Sequence, residues 1–249
     1  MNESPNNPNS PETPEVPVPE PGFVHRMSRT QKILGWIWLP MYLLVVPLAI
    51  EFFNYGNPGV LSEGTANLAA YGVSAVALGL IMFRYWRADF EALLDRPGRA
   101  VLSALLAMAV NYALSMAVTL LLYALIGDEL ENPNNAEMIN IARNDYGAIK
   151  AAAVFLAPIV EETLFRGLIF GSIRPKHRVL AYVVSALAFC LLHVWQYVLI
   201  SGDFSLLIYS LQYVPSAVAL AYCYERSGSI WTPILLHIIL NAMAFTVIL

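Results

Sequence analysis

The chain has 249 residues, of which 58% are hydrophobic and only 13% charged, where soluble domains carry about 25% charged residues. A net charge of -4 without any basic run argues against a nucleic-acid-binding module. Cys190 and Cys223 both lie in apolar stretches, which excludes a disulfide framework or a zinc pair.

Residues 1–24 are rich in Pro, Asn, Glu and Ser and hold little that can be buried. They are expected to form a disordered, partly polyproline tail. No basic start followed by an apolar core marks a signal peptide, so the first apolar segment is expected to stay as an anchor. A membrane helix needs about 20 apolar residues. Segments 33–50, 66–83, 100–126, 148–170, 179–200, 204–224 and 230–249 meet that need. Backbone groups in lipid must be satisfied within the segment, and no alternating barrel pattern is present. The expected fold class is all-α, a polytopic transmembrane bundle of seven or eight spans over residues 25–249, with the functional core in about 100–249.

Basic residues orient these spans. Arg26, Arg29, Lys32, Arg84, Arg87, Arg96, Arg99, Arg174, Lys176, Arg178 and Arg226 all fall on one side, and only Arg143 and Lys150 on the other. An excess of Lys and Arg marks the cytoplasmic side, so an integral membrane protein with a cytoplasmic N-terminus and an outward C-terminus is expected. Residues 87–96 suggest a short interfacial helix, and the polar loop 127–147 suggests another at 136–142. Asn67, Asn111, Gln196 and Gln212 are expected to link helices by hydrogen bonds.

The fourth span carries EETLFRG at 161–167. Glu162 and Arg166 are four apart and share a helix face, so they are expected to pair. Glu161 points about 100° away, toward a different neighbour. Pro158 is expected to kink the helix just before them, and the Gly167/Gly171 spacing suggests close packing. Phe189 and His193 in the fifth span, and His237 and Asn241 in the seventh, are each one turn apart. At 1.5 Å per residue, Glu162, His193, His237 and Asn241 lie about 18, 22, 12 and 18 Å from the basic ends of their spans, at overlapping depths. An ionisable group at mid-bilayer costs about 2.5–3.5 kcal/mol on insertion scales, so a shared functional cavity explains the set better than chance burial.

A carboxylate beside an imidazole can hold a water and remove its proton. A second imidazole with an amide can donate to a developing oxyanion. No Ser or Cys stands beside a base as a nucleophile, which favours a water. Two His and one carboxylate (Glu161, His193 and His237) would equally suit a catalytic zinc ion. Proton- or ion-coupled transport, or a non-catalytic membrane binding or immunity role, would use the same buried groups, although no inverted halves are visible.

The motifs Glu-Glu-x-x-x-Arg (161–166), Phe-x-x-x-His (189–193) and His-x-x-x-Asn (237–241), in this order on separate spans, resemble the CPBP family of CAAX-processing and bacteriocin-processing intramembrane proteases, also called the ABI family. The resemblance covers about residues 100–249. It implies a glutamic-type endopeptidase in a helical bundle, in a bacterial plasma membrane, without a metal cofactor. It implies Glu161 as catalytic glutamate, His193 as its water-activating partner, and His237 with Asn241 as the oxyanion pair. Glu162, Arg166 and Phe189 are implied as supporting residues. The partners implied are the lipid bilayer and a peptide or protein substrate in or at the membrane: CAAX-like and prenylated, a leader peptide, or another membrane-anchored chain.

Overall fold

The computed structural model describes residues 23–127 and 132–248; the expected tail lies almost wholly outside them. Among the described residues every regular element is a helix. Helix α1, Arg29–Gly56, starts at a capping box in which Ser28 and Gln31 satisfy each other's backbone N–H groups. Pro40 and Pro47 cannot donate to the helix ladder, and the stretch between them, Met41–Val45, opens into a π-helical turn.

Helix α2, Glu63–Asp95, is capped by Ser62. It runs without interruption through 87–95, where a separate interfacial helix was expected. Its first turn receives the Asp145 carboxylate, which also accepts from the Ser62 hydroxyl. A Cβ on Gly64 would lie 2.7 Å from that carboxylate and would force it to move, so glycine favours the approach. An anion at a helix N-terminus is favoured by the helix dipole.

Helix α3 spans Pro97–Ile126, and α4 spans Pro133–Lys150. Asn132 caps α4 by accepting from Asn134 N, and Pro133 suits its first position. These signals give a helix longer than the one expected at 136–142, broken in φ/ψ only at Asp145. The chain continues from α4 without a turn as π-helix over Ala151–Leu156, α-helix over Ala157–Glu161, π-helix over Glu162–Phe170 and a last turn Gly171–Ile173. This run, 151–173, is the motif helix. Pro158, which lacks an N–H, sits where the first π-helical stretch closes. The irregularity expected at Pro158 is seen as local widening of the helix just before it.

Helix α5, Arg178–Leu192, ends at His193, and α6, Trp195–Ser201, leaves it at 50°. A 3-10 stretch, Phe204–Tyr213, leads into α7, Val214–Ser227. Gly228, with φ 73°, turns the chain into α8, Trp231–Ile248.

Four helices are long and apolar enough to cross a membrane: α1, α2, α3 and the Phe204–Ser227 pair. The bent pair α5–α6 makes a fifth if it is one span. The expected count of seven is not reached by length and composition. With the bent pair counted, the shortfall falls on the other two of the three segments that carry polar motifs: α8 counts only as a shorter apolar helix, and the motif helix is interrupted by charge.

The motif helix lies at the centre. All nine residues from Glu162 to Phe170 are buried. Leu164, Leu168 and Phe170 pack with Leu78, Met82 and Tyr85 of α2, Phe189 of α5 and Tyr224 of α7. Between helices in lipid such contacts act through close packing more than through transfer from water.

The ends carrying the basic residues are tied together. Asp89 accepts from Arg26 at 3.1 Å and from Ile230 N at 2.8 Å. Arg26 also donates to Gly228 O at 2.7 Å, and Trp231 Nε1 to Trp86 O at 2.8 Å. These bonds fix where α8 begins and hence the height of its side chains. The segment before α1 packs in the same place. Phe23 meets Phe170 and Tyr224 edge-on, at 5.9 and 5.1 Å. The close packing expected at Gly167 and Gly171 is found, although the partners are mostly this segment and Tyr85. A Cβ on Gly171 would lie 2.7 Å from His25 Nε2, and one on Gly167 3.1 Å from the Tyr85 hydroxyl.

Candidate active site

The centre of the site is the Phe189 ring, 1% exposed on α5. The Arg166 guanidinium lies over it at 4.2 Å. The imidazoles of His193 and His237 flank it, with ring centroids at 4.9 and 5.8 Å. All three motifs therefore meet on one aromatic side chain, although they come from three separate helical segments.

Glu162 and Arg166 are both fully buried and form the ion pair expected from their spacing. Arg166 Nη1 donates to Glu162 Oε1 at 2.9 Å. The same oxygen accepts from His237 Nδ1 at 2.9 Å. Arg166 Nη2 donates to Ala217 O at 3.1 Å, which links the motif helix to α7. Among the described residues Glu162 Oε2 and Arg166 Nε have no hydrogen-bond partner. A buried charge is tolerable only when paired, so this trio needs all its members.

Glu161, 3% exposed, faces elsewhere. Its Oε1 accepts from the Tyr71 hydroxyl of α2 at 3.0 Å. Tyr71 in turn lies against Tyr42 of α1, with ring centroids 6.1 Å apart. Electrostatically Glu161 feels His237, Glu162 and Arg166, and His193 feels His237 and Arg166. The five ionisable groups thus occupy one neighbourhood.

His193 is not inside a continuous helix, as was expected, but at the break between α5 and α6. Its Nδ1 lies 2.9 Å from Phe189 O. A carbonyl can only accept, so Nδ1 carries the proton and Nε2 keeps its lone pair. The ring stacks on Tyr213 at 4.0 Å and 20°. Tyr213 is held by α4, since Asn132 and Asn134 both donate to its hydroxyl at 3.1 Å. Asn132 also donates to Gln212 Oε1 at 2.7 Å, so Gln212 does link segments as expected, whereas among the described residues Asn67 bonds only Glu63 O of its own helix. Asn241 is anchored through Nδ2 to Ala153 O at 2.9 Å, on the π-helical stretch before the glutamates.

Tyr71 and Tyr213 were not anticipated from the sequence. The available signal was weak, namely a phenol inside a predicted apolar span. Among the described residues no group of three His, Cys, Asp or Glu side chains is arranged to hold a metal ion.

Residues 147–243 match the family of type II CAAX prenyl endopeptidase Rce1-like proteins. No curated protein and no solved structure matches the chain. The matched segment contains all three motifs and bears out the resemblance they carry: this membrane protein is similar, over that segment, to the Rce1-like CAAX proteases.

Proposed function

We propose that the chain is an intramembrane endopeptidase that hydrolyses a peptide bond with a water activated by Glu161 and His193. The observation that carries this is the convergence of Arg166, His193 and His237 on Phe189, with Glu161 in the same electrostatic neighbourhood. Glu161 takes the proton of a water that His193 orients through Nε2. The hydroxide attacks the scissile carbonyl carbon, and Glu161 returns the proton to the departing amine as the C–N bond breaks. Positioned proton transfer of this kind contributes about 10²–10⁴-fold.

His237 and Asn241 serve the oxyanion. With Nδ1 bound to the Glu162 carboxylate, a protonated His237 presents Nε2–H as the donor. Asn241 has a second N–H beyond the one given to Ala153 O. One such donor is worth about 10²–10³ in rate. The water is handled by Glu161 and His193, without a metal.

Both motif-bearing segments that fall short on composition, 151–173 and 231–246, lie within the membrane in this proposal and bring the spans to seven. Their charges and imidazoles face the bundle interior, where intramembrane ionisable groups are tolerated. The basic ends face the cytoplasm and the C-terminus faces out, in the plasma membrane of a bacterium. Substrates are membrane-associated peptides of the CAAX-like or leader-peptide type. The test is a comparison of protein termini in membranes of cells expressing wild type or Glu161→Ala at matched levels. New termini that appear only with wild type are expected, and identical termini at every substrate tried would refute the assignment.

A further inference from the structure

We propose that Tyr71 is a positioning residue for Glu161, holding one carboxylate oxygen so that the other is left to the water; this rests on the protease function proposed above. Tyr71 belongs to α2, outside the 147–243 segment that matches the endopeptidase family. The N-terminal helices are then part of the catalytic apparatus as well as a membrane anchor.

Three features support the assignment. The first is the bond itself, from a phenol hydroxyl to Glu161 Oε1 at 3.0 Å, with the carboxylate 3% exposed. A buried carboxylate with two oxygens can rotate about its last torsion, and a single fixed donor removes that freedom. The second is that Tyr71 is a stiff side chain supported from behind by buried Tyr42 of α1. The third is a separate tie between the same two helices. Trp86 Nε1 of α2 donates to Thr163 Oγ1 at 3.1 Å, and that hydroxyl donates to Ile159 O at 2.7 Å. The hydroxyls of Tyr71 and Thr163 thus register α2 against the glutamate pair on either side of Glu162.

Glu162 cannot take the same role. Its Oε1 is occupied by Arg166 and His237, both of which bring positive charge when protonated. Tyr71 gives Glu161 a neutral donor, which orients a carboxylate without neutralising it as a base. The difference in partners explains how two adjacent glutamates serve as a base and as a structural counter-ion.

The test uses the full chain in detergent or vesicles and Tyr71→Phe, which keeps the ring and deletes only the donor. Infrared difference spectra with ring-labelled tyrosine address the bond without a substrate. Glu161→Gln is expected to shift one phenol C–O band, and the same band is expected to be missing in Tyr71→Phe. No tyrosine signal in Glu161→Gln would overturn the proposal. With a farnesylated, CAAX-terminated peptide as the probe, Tyr71→Phe is expected to lower kcat about tenfold or more, the scale of a hydrogen bond to a charged group, with KM unchanged. In a Glu161→Asp background, where the carboxylate is displaced, the same substitution is expected to cost much less. An undiminished loss in that background shows a merely structural role and overturns the proposal, as does full kcat in Tyr71→Phe. Cleavage by Glu161→Ala at the wild-type rate instead refutes the function proposed for Glu161 itself, and Tyr71 falls with it.

Discussion

His237 and Glu162 meet across 75 residues of sequence, with Nδ1 2.9 Å from Oε1, on the same oxygen that Arg166 grips from one turn away. One buried carboxylate thus orients an imidazole and neutralises a guanidinium at once. The adjacent Glu161 makes none of these contacts among the described residues, and its carboxylate accepts from the Tyr71 hydroxyl. Two neighbouring glutamates therefore have different partners, and their substitutions are expected to separate.

Glu162→Ala leaves Arg166 buried without its partner. Breaking a buried pair costs about 3–5 kcal/mol, so a large fall in Tm of the purified protein is expected. Adding Arg166→Met to Glu162→Leu is expected to recover part of that stability. Glu161→Ala is expected to keep Tm within a few degrees while cleavage is lost. Equal thermal loss in Glu161→Ala and Glu162→Ala would show that the two carboxylates share one structural role.

His193→Ala removes the imidazole whose Nε2 is left free by the bond from Nδ1 to Phe189 O. A fall of about 10²–10⁴ in kcat/KM is expected, measured on a substrate identified from membrane termini. Chelation of wild type is expected to leave the rate unchanged. Loss on chelation with recovery on adding one metal would move the water from Glu161 and His193 to that ion.

The Tyr213 ring stacks on His193 at 4.0 Å while its hydroxyl is held by Asn132 and Asn134. An aromatic pair is worth about 0.5–1.5 kcal/mol. Tyr213→Ala is expected to lower kcat by up to about tenfold, and Tyr213→Phe, which keeps the ring, by much less. A Phe variant as impaired as Ala would show that the amide clamp, not the stack, orients His193.

His25, just before α1, titrates far below an ordinary histidine, near pH 4, because burial disfavours its charged form and Lys32 adds repulsion. As pH falls from about 6.5 to about 4, the unfolded chain takes up a proton that the folded one refuses, so stability declines across that window. The loss is on the order of 2–3 kcal/mol when the window has been crossed. Melting curves at pH 7.5 and 4.5 are expected to show a larger drop for wild type than for His25→Phe. An equal drop would mean that His25 stays accessible to protons in the fold.

Local rules decide part of this protein from its sequence. Low charge and long apolar runs impose helices, since lipid leaves the backbone no other partners. The Glu162–Arg166 pair follows from a spacing of four, and the grouping of Phe189 with His193 from the same interval. What joins the site is long-range. Tyr71 reaches Glu161 over 90 residues and His237 reaches Glu162 over 75, and no periodicity encodes which helices become neighbours. The π-helical stretches around Pro158 and Glu162 and the break at His193 are likewise tertiary outcomes. At each of these places helix regularity yields to packing and to the pairing of buried charge, because an unsatisfied ion inside the bundle costs more than a few distorted backbone bonds.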